Sequence, residues 1–242
     1  MSEMAGRILV ALDFPSLDKA RTIARLLQGK TGFKVGMELN TAAGTPEVIR
    51  AVGSKNVFLD LKYHDIPNTV AGAVKAAAIH RVKMLNVHCL GGKPMMEAAN
   101  NAAIETEVET KGTYRPLVIG VAILTSHDRA SLVSIGIDPN LSMEEIVSKL
   151  TILAAESGLD GVVCSPKEIR TVRRAVRDNK FLIVTPGIRK NTDPPDDQKR
   201  TMTAREAVDL GSNHLVIGRP ITKYNDPAEV VEAAERFIAE IA

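Results

Sequence analysis

The sequence predicts an α/β protein, a single-domain (β/α)8 TIM barrel that comprises residues 1–242. Three observations lead to this prediction. Eight short apolar runs recur along the whole chain, segments with helix-start signals lie between them, and no composition break or long linker divides the 242 residues. A chain of this length can form one domain if its fold is an α/β barrel.

The eight apolar runs are typical of parallel strands that are covered on both faces. Most of them are continuously apolar instead of alternating, as expected for strands buried between a barrel interior and a surrounding layer of helices. Their sequences are RILVAL from Arg7, GFKVG from Gly32, NVFLDLK from Asn56, MLNVH from Met84, PLVIGVAIL from Pro116, DGVVCS from Asp160, FLIVTPGI from Phe181 and HLVIGR from His214.

Helix-start signals follow most of these runs. A capping residue followed by proline, or a Ser or Thr followed three residues later by Glu, marks the first turn of a helix. Such signals begin at Thr45, Ser142, Ser165, Thr203 and Asp226. With eight strands they predict eight alternating helices.

An open, doubly wound sheet is the structural alternative. The count of eight runs, and the absence of a GxGxxG motif after the first of them, favour the closed barrel. Two connections, from Thr125 to Leu141 and from Arg189 to Arg200, are longer than a connector needs. Long polar loops on a barrel are usually functional or mobile.

The composition excludes several classes of function. A net charge of +2 gives no reason to expect nucleic acid or a membrane surface as a partner, and 3% aromatic residues without Trp argue against stacking on single-stranded nucleic acid. Cys89 and Cys164 are expected to be buried thiols of a reducing compartment. No run approaches the roughly 20 apolar residues that span a bilayer, and the N-terminal run is too short for a signal peptide. We expect a cytoplasmic protein.

Polar residues follow nearly every predicted strand, at the end where barrels carry their active sites. They are Asp13, Lys34, Asp60, Lys62, His88, Thr125, Ser126, Ser165, Arg189 and Arg219. Asp60 and Lys62 are two residues apart on one strand, so their side chains point to the same side. Lys34 lies on the preceding strand and could stand beside Asp60. Opposite unit charges about 4 Å apart attract by roughly 4 kcal/mol at an effective dielectric constant of about 20.

Several candidate residues also have a purely structural interpretation. Asp65 is well placed to cap the helix that starts with IPNTVAGAVKAAA, and capping does not exclude catalysis. Lys62 taken alone could be an exposed lysine at a strand end. His88 ends a strand and could line the pocket, whereas the five histidines show no metal-binding spacing.

The last two strands end in a candidate phosphate site. Loops after the seventh and eighth strands of barrels often bind phosphate through backbone N–H groups. Gly218 allows close approach of the backbone, and Arg219 can grip phosphate oxygens in a bidentate manner. TPGIR, which ends at Arg189, is the neighbouring segment.

Together these segments resemble the orotidine 5′-phosphate decarboxylase family. LDLKYHDIPNTV is similar to its D-x-K-x-x-D-I-P-N-T signature, ALDFPS to its substrate-binding Asp segment, and VTPGIR, DDQKR and VIGRPI to its C-terminal phosphate segment. The resemblance runs from about Ile8 to Asn225. It implies a (β/α)8 barrel homodimer that converts orotidine 5′-monophosphate to UMP and CO₂, the last step of de novo pyrimidine synthesis, with no metal and no organic cofactor.

The resemblance also implies a role for each matching residue. Lys34, Asp60, Lys62 and Asp65 would surround the reacting carbon, with Lys62 as proton donor. Asp65, Ile66 and Thr69 would reach into the partner subunit's site. Asp13 and Lys34 would hold ribose hydroxyls, and Ser126, with Thr125 beside it, would contact the pyrimidine edge. Gln198 would bridge base and phosphate. Arg189 would belong to the substrate-binding set, and Gly218 and Arg219 would bind the phosphate.

Such a reaction explains why charges stand at the end of a buried strand. Loss of CO₂ leaves electrons on a ring carbon with little delocalisation, so the protein must stabilise that charge electrostatically. An ammonium group at Lys62 would do so and then supply a proton. Asp60, near the substrate carboxylate, would disfavour the ground state.

Two alternatives stay open at this point. One is a related Mg²⁺-dependent sugar-phosphate decarboxylase or aldolase with the same D-x-K-x-x-D pattern, which is expected to carry a carboxylate where this chain has Lys34. The other is a barrel that binds a phosphate ligand without chemistry. The full set of four charged residues argues against the second alternative, because a binder has no need of charges that are costly to bury.

Overall fold

The computed structural model of the chain describes residues 5–189 and 201–242. Within them, eight parallel strands close into a barrel in which each strand pairs with the next along the chain and the first pairs with the last. The strands are β1 (Ile8–Ala11), β2 (Gly32–Gly36), β3 (Val57–Tyr63), β4 (Met84–His88), β5 (Leu117–Val121), β6 (Gly161–Val163), β7 (Leu182–Thr185) and β8 (His214–Ile217). All eight predicted strands and the barrel are confirmed.

The helices form the outer layer. They are α1 (Leu17–Leu26), α2 (Met37–Ala43), α3 (Thr45–Val52), α4 (Pro67–Ala78), α5 (Gly92–Glu109), α6 (Arg129–Ser134), α7 (Met143–Glu156), α8 (Ile169–Ala175), α9 (Ala204–Asp209), α10 (Arg219–Thr222) and α11 (Pro227–Ile241), with 3₁₀ turns at Ala5–Arg7, Cys89–Gly91 and Pro166–Glu168. The prediction of eight helices was therefore too low for the part of the chain that the structure describes. Three short helices, α2, α6 and α10, lie within strand–helix connections, where the sequence has too few residues to show helical periodicity.

Most of the start signals act as expected. The side chains of Ser142 and Thr203 accept hydrogen bonds from the backbone N–H groups of Glu145 and Glu206, and both glutamates bond back to the cap residue. Asp226 caps α11. The long connection after β5 contains α6, which Asp128 caps in the same reciprocal manner.

The prediction that Asp65 caps α4 was wrong. The helix begins at Pro67, and the residue in the cap position is Ile66, with extended backbone and no side-chain cap bond. The Asp65 carboxylate accepts a hydrogen bond from the Ile66 N–H at 2.6 Å instead. Proline at the first helical position has no N–H and a preset φ, so α4 can start there without a polar cap.

Two apolar layers hold the barrel together. The inner layer fills the barrel interior with Leu9, Ala11, Phe58, Met84, Ile119, Val184 and Val216. The outer layer packs the other faces of the strands against the helices. Cys89 and Cys164 are free, buried thiols, and burial raises the pKa of Cys89 to about 12.

The two ends of the stretch after β7 meet on the barrel. Ile188 and Met202 form a parallel bridge, the Arg189 N–H donates to the Met202 carbonyl at 3.0 Å, and the Met202 N–H donates to the Gly187 carbonyl at 3.3 Å. The predicted loop from Arg189 to Arg200 starts at this bridge, and its residues 190–200 lie outside the described part of the chain.

No helix in the described ranges is long and apolar enough to cross a membrane.

His214, at the start of β8, makes the stability of the fold depend on pH. Burial, with the nearby charges of Lys83 and Arg7, lowers the pKa of His214 to about 4, although its Nδ1 lies 3.1 Å from the Gly6 carbonyl. An unfolded chain binds a proton at His214 below about pH 6.5, whereas the folded protein does not until about pH 4. This difference contributes stability above pH 6.5 that is lost as the pH falls towards 4.

We expect His214→Gln to weaken this pH dependence. The free energy of unfolding of the wild type should fall by roughly 2 kcal/mol more than that of the variant between pH 7.5 and 5.0. Urea unfolding at the two pH values measures the difference, and equal losses in the two proteins would contradict the assignment.

Candidate active site

A cavity of about 500 Å³ opens at the C-terminal ends of the strands. Its floor is the upper part of the inner apolar layer, which includes Ala11, Phe58 and Val216. Its polar lining comes from the ends of six of the eight strands and contains Asp13, Lys34, Asp60, Lys62, Thr125, Arg189, Gly218 and Arg219. All eight were predicted as site residues.

Asp60 is the central group of this lining. Its Oδ1 accepts a hydrogen bond from Lys62 Nζ at 2.7 Å, and its Oδ2 lies 3.3 Å from Lys34 Nζ. Asp60 and Lys34 are both buried, at 9% and 7% exposure, so the carboxylate meets its counter-charges largely away from water. The predicted arrangement, in which Asp60 lies between the ammonium groups of Lys34 and Lys62, is confirmed.

Lys34 is held by two carboxylates. Its Nζ donates to both oxygens of Asp13, at 2.7 and 2.8 Å, in addition to the Asp60 contact. Burial lowers the pKa of Lys34, but the charges and hydrogen bonds of Asp60 and Asp13 outweigh that effect and hold the pKa above its ordinary value. Lys34 is therefore a fixed cation.

The backbone at Lys62 departs from the strand. Its φ is 52°, in the left-handed region, and the pairing of β3 with β4 shifts register between Leu59 and Tyr63. A non-glycine residue in this conformation costs about 1–2 kcal/mol. Simple alternation along a strand thus predicted the right neighbours for Asp60 and Lys62, but Lys62 reaches its position through a bulge.

Asn86 is a functional candidate that the sequence prediction missed. It lies in β4, is fully buried, and connects the two charged residues of β3. Its Nδ2 donates to Asp60 Oδ1 at 2.7 Å, and its Oδ1 accepts from the Lys62 N–H at 2.7 Å. The available signal was one amide inside the apolar run MLNVH.

His88 does not line the cavity, contrary to one interpretation of the sequence. Its ring stacks on that of His64 with centroids 5.4 Å apart. Burial first, and then the charges of His64, Lys62 and His127, lower the pKa of His88 to about 4. His88 is therefore neutral at physiological pH, next to the Lys62 cation.

Five further residues that the sequence singled out do not line this cavity. Asp65, Ile66 and Thr69 are exposed at the start of α4 and are not part of its lining. Ser126 is exposed beside Thr125 without lining the cavity, and Ser165 is buried under the turn before α8. Gln198 lies outside the described residues.

The metal-binding capacity of the described residues is low. Nowhere in 5–189 and 201–242 do three or more His, Cys, Asp or Glu side chains come together in a group that could hold a metal ion. The carboxylates of the cavity are engaged with lysines instead.

The chain is similar to known proteins over nearly its whole length. Residues 6–234 match the model of the "Orotidine 5'-phosphate decarboxylase / HUMPS family". A protein from Trichlorobacter lovleyi named orotidine 5′-phosphate decarboxylase is 48% identical over 242 residues, which cover 99% of this chain and 96% of that protein. One of the same name from Chromohalobacter salexigens is 46% identical over 236 residues, 96% of each chain.

A solved structure is also similar. The crystal structure of orotidine 5′-phosphate decarboxylase from Lactobacillus acidophilus has a TM-score of 0.78 and 34% identity, and the match covers 96% of this chain and 98% of that one. With a family model that spans nearly all of the barrel and relatives that match over almost their whole length, the chain belongs to the orotidine 5′-phosphate decarboxylase / HUMPS family.

Proposed function

We propose that this protein decarboxylates orotidine 5′-monophosphate to UMP and CO₂, the last step of de novo pyrimidine synthesis, in the cytoplasm. Relatives with that name match it at 46–48% identity over nearly their full length. The observation that carries the proposal is the array of Lys34, Asp60 and Lys62 in the cavity at the strand ends. A reaction that builds negative charge on carbon without an electron sink needs such fixed charges.

The substrate lies with its phosphate at the ends of β7 and β8. Arg189, Gly218 and Arg219 line that side of the cavity and offer two guanidinium groups and an unobstructed backbone to a phosphate dianion. On the opposite side, Asp13 and Lys34 hold the ribose hydroxyls. Thr125 and Ser126 read the pyrimidine edge, and Gln198 bridges base and phosphate.

The reacting carbon then lies against Asp60 and Lys62. The bond between the ring carbon and the carboxylate breaks, CO₂ leaves, and the electron pair stays on the ring carbon. The Lys62 ammonium, 2.7 Å from Asp60 Oδ1, stabilises that pair and then donates its proton to form the C–H bond of UMP. Lys62 is left as a neutral amine and takes up a proton from water before the next turnover. We propose that no metal and no organic cofactor takes part.

Asp60 sets the charge balance before and after this step. In the substrate complex its carboxylate faces the substrate carboxylate, and repulsion between them disfavours the ground state. Departure of CO₂ removes that repulsion, while ion pairs with Lys34 and Lys62 hold Asp60 in place. Phosphate binding at the arginines supplies the energy that holds the two carboxylates together.

The working unit is a homodimer in which Asp65, Ile66 and Thr69 enter the partner's site. These residues are exposed at the rim of the barrel, where Ile66 is 67% and Met37 57% exposed. Apolar side chains this exposed favour burial against another surface. Asp65 would complete the alternating charges as the fourth member.

The Mg²⁺-dependent relatives are the second candidate, because their chemistry shares the D-x-K-x-x-D pattern. Lys34 argues against them: a lysine bonded to Asp13 and Asp60 occupies the place where a carboxylate ligand is expected. A binder without chemistry is disfavoured because burying Lys34 and Asp60 costs free energy that binding alone does not require.

The purified protein should remove the absorbance of orotidine 5′-monophosphate, and EDTA should leave the rate unchanged. Lys62→Ala should abolish turnover and leave the fold intact, because Lys34, the other ammonium of the cavity, is held by both Asp13 and Asp60 and does not replace the proton donor. Lys149→Ala, which changes an exposed lysine of α7, is the matched control.

Three results would contradict the proposal. A Lys62→Ala variant that keeps about a tenth of wild-type activity would exclude the proton-donor role. Loss of wild-type activity in EDTA would favour the Mg²⁺-dependent relatives. UMP binding without any turnover by the wild type would favour the binder.

Mixing two inactive variants tests the shared site. Asp65→Ala and Lys62→Ala homodimers each lack one member of every site, whereas a mixed dimer contains one complete site. Unfolding and refolding the two variants together should therefore recover activity. With random pairing, about half of the dimers are mixed and each mixed dimer has one intact site of two, so about a quarter of the wild-type rate is expected. No recovery in a mixture that native mass spectrometry shows to contain mixed dimers would exclude the crossing of Asp65.

Gly36→Ala should weaken substrate binding. A Cβ at this position would overlap Asp13 Oδ1 and lie 3.1 Å from Lys34 Nζ, so Asp13 must shift. We expect KM to rise about tenfold or more, with a smaller change in kcat, since Asp13 holds substrate and not the reacting carbon. Gly6→Ala, which meets open space, is the control, and equal KM values for the two variants would contradict the role of Asp13.

A further inference from the structure

Asn86 is a polar residue at a fully buried position of the barrel sheet. It is fully inaccessible in the middle of β4, and its neighbours Leu85 and Val87 are fully buried apolar residues. A buried amide without partners destabilises a fold, so its hydrogen bonds define what it does there. Asn86 has no accessible surface towards the cavity, so we assign it no contact with the substrate.

Both hydrogen bonds of Asn86 go to charged residues of the neighbouring strand. Its oxygen faces the Lys62 N–H at 2.7 Å, and its NH₂ group faces Asp60 Oδ1 at 2.7 Å. A backbone N–H can only donate and a carboxylate can only accept, so the two partners fix the orientation of the amide. One rigid side chain therefore connects the backbone of Lys62 with the side chain of Asp60.

The bond to Lys62 falls at the bulge of β3. Pairing between β3 and β4 is regular at Leu59 and resumes at Tyr63, and Lys62 between them has its backbone in the left-handed region. Where the backbone pairing of the two strands is interrupted, the Lys62 N–H donates to the Asn86 side chain. Without that bond, the extended conformation that lysine prefers would be favoured again, and the ammonium group would move away from Asp60.

The bond to Asp60 holds one carboxylate oxygen without adding charge. Asp60 Oδ1 accepts from both Asn86 Nδ2 and Lys62 Nζ, and Oδ2 faces Lys34. A neutral donor in this place orients the carboxylate and leaves the alternation of charges unchanged. A cation there would instead compete with Lys62 for the same oxygen.

We infer that Asn86 is a positioning residue, which holds Lys62 in its left-handed conformation and Asp60 in its rotamer. Both the Lys62 ammonium and the Asp60 carboxylate are thereby placed against the reacting carbon. The kinetic test of this inference rests on the proposed function, whereas the test by the crystal structure of a variant does not.

Asn86→Ala and Asn86→Asp test the inference, with Asn213→Ala as matched control. Asn213 also accepts from a backbone N–H of a neighbouring strand, that of Ile183 at 2.8 Å, and from Arg173 Nη2 at 2.6 Å, but at the start of β8, far from the cavity. We expect Asn86→Ala to lower kcat about 100-fold with KM changed less than about threefold, because substrate contacts persist while the proton donor is misplaced. Asn213→Ala should lower stability and leave kcat unchanged.

Asn86→Asp separates positioning from a general structural effect. It keeps an oxygen for the Lys62 N–H but places a second carboxylate against Asp60, and two close carboxylates resist ionising together. The acid limb of the kcat–pH profile should therefore move up by about one pH unit or more, whereas a loss of fold stability alone would leave the profile in place.

The outcomes distinguish this inference from the proposed function. Asn86→Ala with kcat within about threefold of the wild type, or Asn86→Asp with an unmoved acid limb, would overturn the positioning role. If the wild type itself does not turn over orotidine 5′-monophosphate, the proposed function fails, and a crystal structure of Asn86→Ala decides the inference by itself. The inference is supported if, in that structure, the backbone of Lys62 has left the left-handed region and its Nζ no longer bonds to Asp60. It is overturned if Lys62 keeps both its backbone conformation and its bond to Asp60.

Discussion

The buried carboxylate of Asp60 is the constraint on which the site depends. An isolated charge at this depth would be far too costly to keep ionised, so its partners have to be delivered by the fold. Lys34 comes from β2, Lys62 from β3 itself and Asn86 from β4. Three consecutive strands of the barrel are therefore tied together through one carboxylate, and the closed sheet is what keeps those strands at a fixed spacing.

This arrangement divides the barrel into two ends with different requirements. Below Asp60, the interior is filled by apolar side chains such as Leu9, Met84 and Ile119, which need only volume and shape. Above it, the ends of six of the eight strands contribute polar groups or an open backbone to the cavity. The bulge at Lys62 lies at this boundary, where a strained backbone conformation is held by interactions from the neighbouring strand.

The sequence alone predicts the barrel and most of the cavity because those features follow local rules. Apolar runs give the strands, and strand ends give the positions of Lys34, Asp60, Arg189 and Arg219. Asn86 could not be found in this way, since its importance depends on a register shift between two strands that no local pattern encodes. The expected cap at Asp65 failed for the opposite reason: a local rule applied correctly, but Pro67 offered a competing way to start the helix.

The bridge between Ile188 and Met202 has a consequence for chain-length tolerance. Because the barrel itself holds the two ends of the intervening stretch together, the entropy of closing that stretch changes only slowly with its length, by about 0.6 kcal/mol for each doubling. Insertions and deletions between these two residues thus leave the register of β7 and β8 untouched. The stretch can therefore change in length while Arg189 and Arg219 keep their places on the same side of the cavity, at the ends of β7 and β8.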